Sequence, residues 1–186
     1  MTSAGLKVTA RSLQVLREAG LNGGFADGMR TAKLVRSSGG FAGVIEAAAA
    51  RDANAIAITD ERGDLPFAEV NGRVNALTRA WSARGIGPGD VIAMLCRDHR
   101  GLVTVLAAAN KVGAQLLLMN TGFAKPQLAD VAKREKVSVL VYDQEFTGLV
   151  DGIDEGVTRF VAEGSLQELI RSTSTAPVPP PVKPAA

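Results

Sequence analysis

The fold is decided by one stretch, KVGAQLLLMN (Lys111–Asn120). Within it, Gly113 separates a long apolar segment, Leu102–Val112, from a short one, Gln115–Met119. The long segment is apolar nearly all round, which is typical of a buried helix, and a glycine commonly ends a helix. The short segment is a continuous apolar run, which is typical of a strand covered on both faces. This stretch therefore predicts a helix that leads directly into a buried strand.

The same alternation extends on both sides of this stretch. Further strands are predicted at Ala55–Thr59, Val91–Leu95, Val137–Tyr142 and Val157–Val161. Further helices are predicted at Phe41–Arg51, from Pro66 to Gly85, at Gln127–Lys136 and after Ser165. Strands that alternate with helices imply crossover connections and a mainly parallel sheet. The predicted fold class is α/β, a layered fold with helices flanking that sheet.

Local signals make three smaller predictions. Residues Glu61–Asp64 predict a turn after the first strand. Ser165 and Glu168 match a capping box, which predicts the start of a last short helix. The glycines of Gly85–Gly89 follow a helix and precede a strand, the reverse of the order that a dinucleotide-binding loop requires. They therefore predict a tight turn, and a Rossmann-type nucleotide-binding protein is disfavoured.

Composition limits the class of protein. The chain has 186 residues, 46% of them apolar and only 4% aromatic, which is enough for one domain with a core of mainly Ala, Val and Leu. A net charge of +2 is too small to favour nucleic acid as a partner. The single cysteine, Cys96, lies in an apolar run and is expected to be buried in a reducing environment. With neither a signal peptide nor a membrane span in the sequence, we expect a cytoplasmic protein.

The two ends differ from the middle. Residues 1–40 carry six basic and two acidic residues, include a short helix candidate at Arg11–Ala19, and contain glycines that predict turns, namely Gly20, Gly23, Gly24, Gly28, Gly39 and Gly40. This basic arm is either solvated or in contact with an anionic membrane surface. Residues 172–186 hold five prolines and are expected to form an extended, disordered linker. The predicted organisation is thus an arm (1–40), an α/β unit (41–171) and a linker (172–186).

Four segments, in this order along the chain, resemble the opening part of adenylate-forming acyl-CoA synthetases. They are Ala57–Gly63, Leu65–Leu77, Arg84–Leu95 and Leu106–Asn120. The resemblance covers roughly residues 41–171, and it implies the N-terminal portion of the acyl-CoA synthetase fold. Where the family usually has a Ser or Thr helix cap, this chain has Pro66, so Asp64 is expected to cap that helix instead.

The resemblance also implies a reaction. In this family a carboxylate attacks ATP to give an acyl-adenylate, which then forms a thioester with coenzyme A, and the parent enzyme would need ATP, Mg²⁺ and CoA. The family's Ser/Thr/Gly-rich phosphate loop and its catalytic lysine have no counterpart in residues 1–186. Because adenylation brings two anions together, those cationic and N–H groups are indispensable. The chain alone is therefore predicted to be inactive, with no catalytic, cofactor-binding or metal-binding residues of its own.

Candidate site residues follow two predicted strands. The segment around His99 and Arg100, and the segment of Asn120, Thr121, Gly122 and Phe123, resemble most closely the fatty-acid-activating members. By this resemblance they line the acyl or CoA path of the full enzyme. Taken from the residues alone, His99 with its charged neighbours is either a proton shuttle or phosphate contact, or part of a solvated loop. A single histidine does not build a zinc site.

The implied partners are the missing C-terminal portion of the enzyme and a fatty or other carboxylic acid. A face left uncovered by that missing portion would favour a homo-oligomer. The alternative to an enzyme portion is a stand-alone, non-catalytic α/β interaction or regulatory module.

Overall fold

The structure, a computed structural model, describes residues 25–38 and 40–179. Its helices are α1 (Phe25–Ser38), α2 (Gly40–Arg51), α3 (Phe67–Ser82), α4 (Arg100–Val112), α5 (Lys125–Arg134), α6 (Thr147–Val150) and α7 (Ser165–Arg171). Its strands are β1 (Ile56–Asp60), β2 (Gly63–Pro66), β3 (Val91–Leu95), β4 (Gln115–Leu118), β5 (Val139–Tyr142) and β6 (Thr158–Val161). A turn of 3₁₀ helix, Gln144–Phe146, precedes α6.

Four strands form a parallel sheet in the order β4-β3-β5-β6. Helices α3, α4 and α7 cover one face, where Trp81 is fully buried. Helices α5 and α6 cover the other face, where Leu128 is fully buried. Coverage on both faces explains why the strands are continuous apolar runs rather than alternating patterns. The predicted α/β class with a parallel sheet is confirmed, and Trp81 is a core residue.

The first strand differs from the prediction. Strand β1 pairs antiparallel with β2 in a separate two-stranded sheet, so the predicted turn at Glu61–Asp64 is shorter than expected. Gly63 adopts a positive φ of 88°, which a residue with a Cβ rarely adopts, and it turns the chain into β2. The Thr59 hydroxyl donates to the Asp64 carboxylate at 2.7 Å across the hairpin. Strand β2 has one apolar residue, Leu65, and ends in a proline, so no hydrophobic pattern marks it in the sequence.

Both predicted helix caps are wrong. Asp64 does not cap α3, because its carboxylate accepts from Thr59. The first N–H groups of α3 donate instead to backbone carbonyls of Ala53 and Ala55. At α7 the cap is Gly164, and the Ser165 hydroxyl accepts from the N–H of Val161. At α3, main-chain acceptors brought close by the fold replace the side chain that the local pattern favoured.

Two of the N-terminal glycines that predicted turns lie in helices. Gly28 lies inside α1 and Gly40 begins α2, where the pattern predicted turns. The helix candidate at Arg11–Ala19 and the other four glycines lie outside the described residues. Within residues 25–38 and 40–179, no helix is both long and apolar enough to cross a membrane.

The segment after α7 packs on the outside of α3. We call residues 172–179 the strap. Asn75 and Arg79 of α3 donate to four successive strap carbonyls, those of Ser174, Thr175, Ala176 and Pro177. The described part of the predicted linker is therefore held by the domain along one helix.

Candidate functional site at the carboxyl ends of the strands

The site predicted from the sequence lies at the carboxyl edge of the parallel sheet. From β3 the chain passes to α4 on one face, whereas from β5 it passes to α6 on the opposite face. The loops after β3 and β5 therefore diverge from neighbouring strands. Such a switch point is where open α/β sheets leave a crevice for a ligand.

Asp143 fills this crevice. It follows β5 directly, and only 2% of its surface is exposed. One carboxylate oxygen accepts from the N–H of Arg97 at 2.6 Å, and the other lies 2.8 Å from Nε2 of His99. A buried carboxylate needs such partners, because an uncompensated charge is costly away from water. Asp143 thus ties the loop after β3 to the end of β5.

His99 is the cap of helix α4. Its Nδ1 accepts from the N–H of Gly101 at 2.9 Å, while its Nε2 faces the Asp143 carboxylate. An acceptor at Nδ1 and a donor at Nε2 correspond to the neutral tautomer with its proton on Nε2. Both ring nitrogens are therefore engaged in holding the loop. From the sequence, His99 was expected to be either a proton shuttle or phosphate contact, or part of a solvated loop. The structure shows a third role, a helix cap that also binds Asp143.

Three potential metal ligands, Cys96, His99 and Asp143, lie within 4.8 Å of one another. Their geometry opposes a cation in two ways. A metal at Nε2 would leave the imidazole proton on Nδ1, where it would meet the Gly101 N–H that now donates there. Burial, followed by the nearby Asp143 charge, raises the pKa of the Cys96 thiol above its ordinary value, so the ligand form is disfavoured. The same thiol pKa argues against a cysteine nucleophile.

Arg100 binds the β1–β2 hairpin, so its charge is not available to an open site. Its guanidinium donates to both oxygens of Asp60 and to the carbonyl of Gly63, and its backbone N–H also binds Asp60. The side chains of Arg100 and Asp60 are only 12% and 4% exposed. The hydrogen bond from Arg100 holds the pKa of the Asp60 carboxyl well below its usual range. This pair fastens the β1–β2 hairpin to the start of α4.

Arg97 forms a second pair at the same edge, in a different environment. Its guanidinium binds both oxygens of Glu145, at 2.9 and 3.0 Å, and stacks over the ring of Phe146. Both side chains are more than half exposed. Arg97 and Arg100, the two arginines that flank His99, are therefore both neutralised by carboxylates of this chain.

The loop after β4 is built differently. The Asn120 side chain accepts from the N–H of Gly122 at 2.8 Å, and its carbonyl accepts from the N–H of Phe123 at 3.1 Å. Thr121 and Phe123 are half-buried, and the Phe123 side chain packs against the α5 face of the core. This turn is held mainly by its own atoms. It lies at the same edge as His99, on the neighbouring strand of the sheet.

A small polar cavity of about 90 Å³ adjoins His99 and Arg100. It is lined by Asp60, Glu61 and Arg62 of the hairpin and by Glu163 and Gln167 beyond β6, among others. This volume has room for about three water molecules, which makes it too small for a nucleotide.

The six candidate residues lie after β3 and β4, at the carboxyl edge of the sheet where the sequence placed them. The prediction missed Asp60, Asp143 and Glu145, the carboxylates that engage His99 and both arginines. One signal was available for Asp143: it directly follows β5, as expected of a residue at an edge where loops meet.

Comparison with known proteins identifies the family. The family described as AMP-binding enzyme matches residues 45–184. CymA of Salinispora arenicola (strain CNS-205), described as a probable non-canonical nonribosomal peptide synthetase, is 36% identical over 101 residues, which make up 54% of this chain and 1% of that protein.

Solved structures give the same fold. The anthranilate CoA ligase AuaEII superposes with a TM-score of 0.69 at 23% identity, covering 75% of this chain and 28% of that one. A fatty acyl CoA synthetase of Mycobacterium tuberculosis superposes with a TM-score of 0.68 at 20% identity, covering 76% and 30%. At this identity the likeness shows the fold alone, and this chain spans less than a third of either protein. The family match extends over more than half of the chain, which therefore belongs to the AMP-binding enzymes, the adenylate-forming family.

Proposed function

We propose that this chain is the N-terminal portion of an ATP-dependent acyl-CoA ligase of the fatty-acid-activating type. In the parent reaction a carboxylate oxygen attacks the α-phosphate of ATP, and pyrophosphate leaves. The thiol of CoA then attacks the acyl carbon, a thioester forms, and AMP leaves. The family match over residues 45–184 carries this proposal. The more specific part of the proposal, a fatty acid as the substrate, rests on the Asn120–Phe123 segment.

The charges of the chain support a scaffold role. Adenylation needs positive or N–H groups free to face the phosphates in the transition state. Arg97 and Arg100 already pair with Glu145 and Asp60, and the cavity beside them is smaller than a nucleotide. These residues do not fit ATP and Mg²⁺, so the groups that bind both would come from outside residues 1–186. In the cell we expect the intact enzyme to be cytoplasmic.

We also propose that the carboxyl edge of the sheet forms one wall of the acyl or CoA path in the intact enzyme. The turn of Asn120, Thr121, Gly122 and Phe123 would contact the substrate, since the hydrogen bonds from Gly122 and Phe123 to Asn120 close within the turn itself. His99 and Arg100 would act on that wall by holding its backbone in place, since their polar atoms are engaged within this chain.

Carboxylate-dependent release of pyrophosphate tests the main proposal. The 186-residue chain is incubated with ATP, Mg²⁺ and a long-chain fatty acid, beside a longer polypeptide that continues through the family's phosphate loop. We expect only the longer protein to release pyrophosphate, and only when the fatty acid is present. Pyrophosphate release by the 186-residue chain would overturn the scaffold role. If neither protein released pyrophosphate, a non-catalytic module would be favoured.

Measuring KM for several acids tests the proposed substrate and its contact with the turn. In the longer enzyme, Thr121→Val and Phe123→Ala are compared with Glu135→Gln, an exposed position on the opposite, amino end of the sheet. We expect the two turn variants to shift KM among a long-chain, a medium-chain and an aromatic acid, and the control to leave all three unchanged. Equal constants for all variants would contradict a substrate-facing turn.

A further inference from the structure

A chain of hydrogen bonds crosses the domain from α1 to the strap. The Ser38 hydroxyl donates to Oε2 of Glu46 at 2.7 Å, and Nζ of Lys111 lies 3.3 Å from the same oxygen. The ammonium also donates to Oδ1 of Asn75 at 2.9 Å. The Asn75 amide nitrogen then donates to the carbonyl of Thr175 at 3.3 Å. We call the side chains of Ser38, Glu46, Lys111 and Asn75 the relay.

Lys111 is the centre of the relay. It is almost fully buried, with 2% of its surface exposed, and it lies on α4 between α2 and α3. A buried ammonium is costly unless carboxylate and carbonyl oxygens surround it. Glu46 supplies the opposite charge, and Asn75 supplies the amide oxygen. The position of Lys111 therefore depends on the placement of α2.

Lys111 also sets the orientation of Asn75. An asparagine amide presents an acceptor on one side and donors on the other. Since Lys111 can only donate, Oδ1 of Asn75 turns toward it, and the amide nitrogen turns toward Thr175. Replacing Lys111 by an apolar residue would leave the amide free to rotate away from the strap.

The backbone carbonyls of the strap are well suited to accept hydrogen bonds from the side chains of α3. Proline has no N–H, but it keeps its carbonyl, so a Pro-rich segment retains every acceptor and loses donors. Arg79, one turn beyond Asn75 on α3, binds three further carbonyls, those of Ser174, Ala176 and Pro177. Gly72, one turn before Asn75, lies beside Thr175: an added Cβ would be 3.4 Å from the Thr175 side chain, at contact distance. Both neighbouring turns of α3 thus keep the strap within reach of Asn75.

We propose that the relay couples the seating of α1 and α2 to the docking of the strap on α3. The strap is then held firmly only when Glu46 is in place against Lys111. Arg79 provides the part of the attachment that does not depend on the relay. This coupling concerns the conformation of the domain and holds whichever reaction the parent enzyme performs.

Nuclear magnetic resonance of the 19.3 kDa chain tests this coupling. The readouts are the side-chain NH₂ signal of Asn75 and the ¹⁵N relaxation of the Thr175 and Ala176 amides. Glu46→Gln and Lys111→Met are each expected to increase the released population of the strap about two- to tenfold, the effect of one hydrogen bond. The amides of Met94 and Val141, in the centre of the sheet, are expected to keep their relaxation. Glu69→Gln, the same change at an exposed position of α3, is the matched control.

Two further variants keep the test decisive. If either buried variant unfolds, Ser38→Ala removes only the outermost hydrogen bond and is expected to shift the strap in the same direction. In an Asn75→Ala background, Glu46→Gln is expected to add nothing, because the connection is already cut. An unchanged strap, an additive double variant, or an equal loosening of Met94 and Val141 would each overturn the coupling.

Discussion

The loops after β3 and β4 end at the same edge of the sheet but are held in opposite ways. The β3 loop is cross-linked to two other segments, the loop after β5 through Asp143 and Glu145 and the β1–β2 hairpin through Asp60. The β4 loop is a turn closed by its own Asn120. Buried, cross-linked polar groups stabilise a fold, whereas a self-contained turn is free to present its side chains to another molecule. The comparison assigns the first loop to stability and supports the proposal that the second contacts substrate.

The largest effect should come from cutting the Arg100–Asp60 pair. Arg100→Ala leaves the Asp60 carboxylate covered and unpaired, which is expected to lower the free energy of unfolding by about 3 kcal/mol. Urea unfolding of the 186-residue chain measures this. Arg97→Ala is the matched control, since its pair is exposed and should contribute little. Equal losses for both variants would remove the distinction between the two arginines.

Acid should reveal the same pair. Because the folded state lowers the pKa of Asp60, the pair contributes its full stability above the unfolded pKa of about 3.9. That contribution is lost as the pH falls below about 4, through the folded pKa. The stability difference between the wild type and Asp60→Asn should thus be constant from pH 5 to 7 and shrink toward pH 2. Unfolding curves across this range check the trend, and a difference that grows on acidification would contradict it.

Replacing His99 should have an intermediate effect. His99→Ala removes the cap of α4 and a partner of Asp143, for a loss of about 1–2 kcal/mol. His99→Asn keeps an acceptor for the Gly101 N–H and should lose less. Thermal unfolding ranks the two variants. If they were equally destabilised, capping would not be the role of this imidazole.

The smallest effect should come from the β4 loop. Asn120→Ala opens an exposed turn and should change the free energy of unfolding by about 0.5 kcal/mol or less. In the longer enzyme the same variant should alter KM for the carboxylic acid. A large loss of stability with unchanged kinetics would reverse the assignment of the two loops.

Much of the fold was predictable because apolar periodicity is local. The runs Val91–Leu95 and Gln115–Leu118 are strands, and Leu102–Val112 lies in a buried helix, as the sequence predicted. Strand β2 was missed because Leu65 is its one apolar residue, so it carries no hydrophobic pattern. The predicted cap of α3 failed because the fold supplied the backbone carbonyls of Ala53 and Ala55 instead. The predicted cap of α7 failed because the Ser165 hydroxyl accepts from the N–H of Val161.

The candidate site was predictable only in its location. Residues that follow parallel strands must meet at one edge, so His99 and Asn120 were placed correctly. Their roles were not predictable, because their surroundings come from distant segments. Asp60 precedes Arg100 by 40 residues, and Asp143 follows His99 by 44. No spacing in the sequence marks such pairs.

By itself, the sequence determined the α/β class, the strand and helix order around Lys111–Asn120, and the likeness to adenylate-forming enzymes. These follow from patterns that act over a few residues, through burial and backbone geometry. Only the tertiary structure decided that both arginines beside His99 are neutralised, that His99 caps a helix, and that a buried lysine connects α2 to the strap. Charge and hydrogen bonding depend on which groups meet in space, and that is fixed only when the elements pack together.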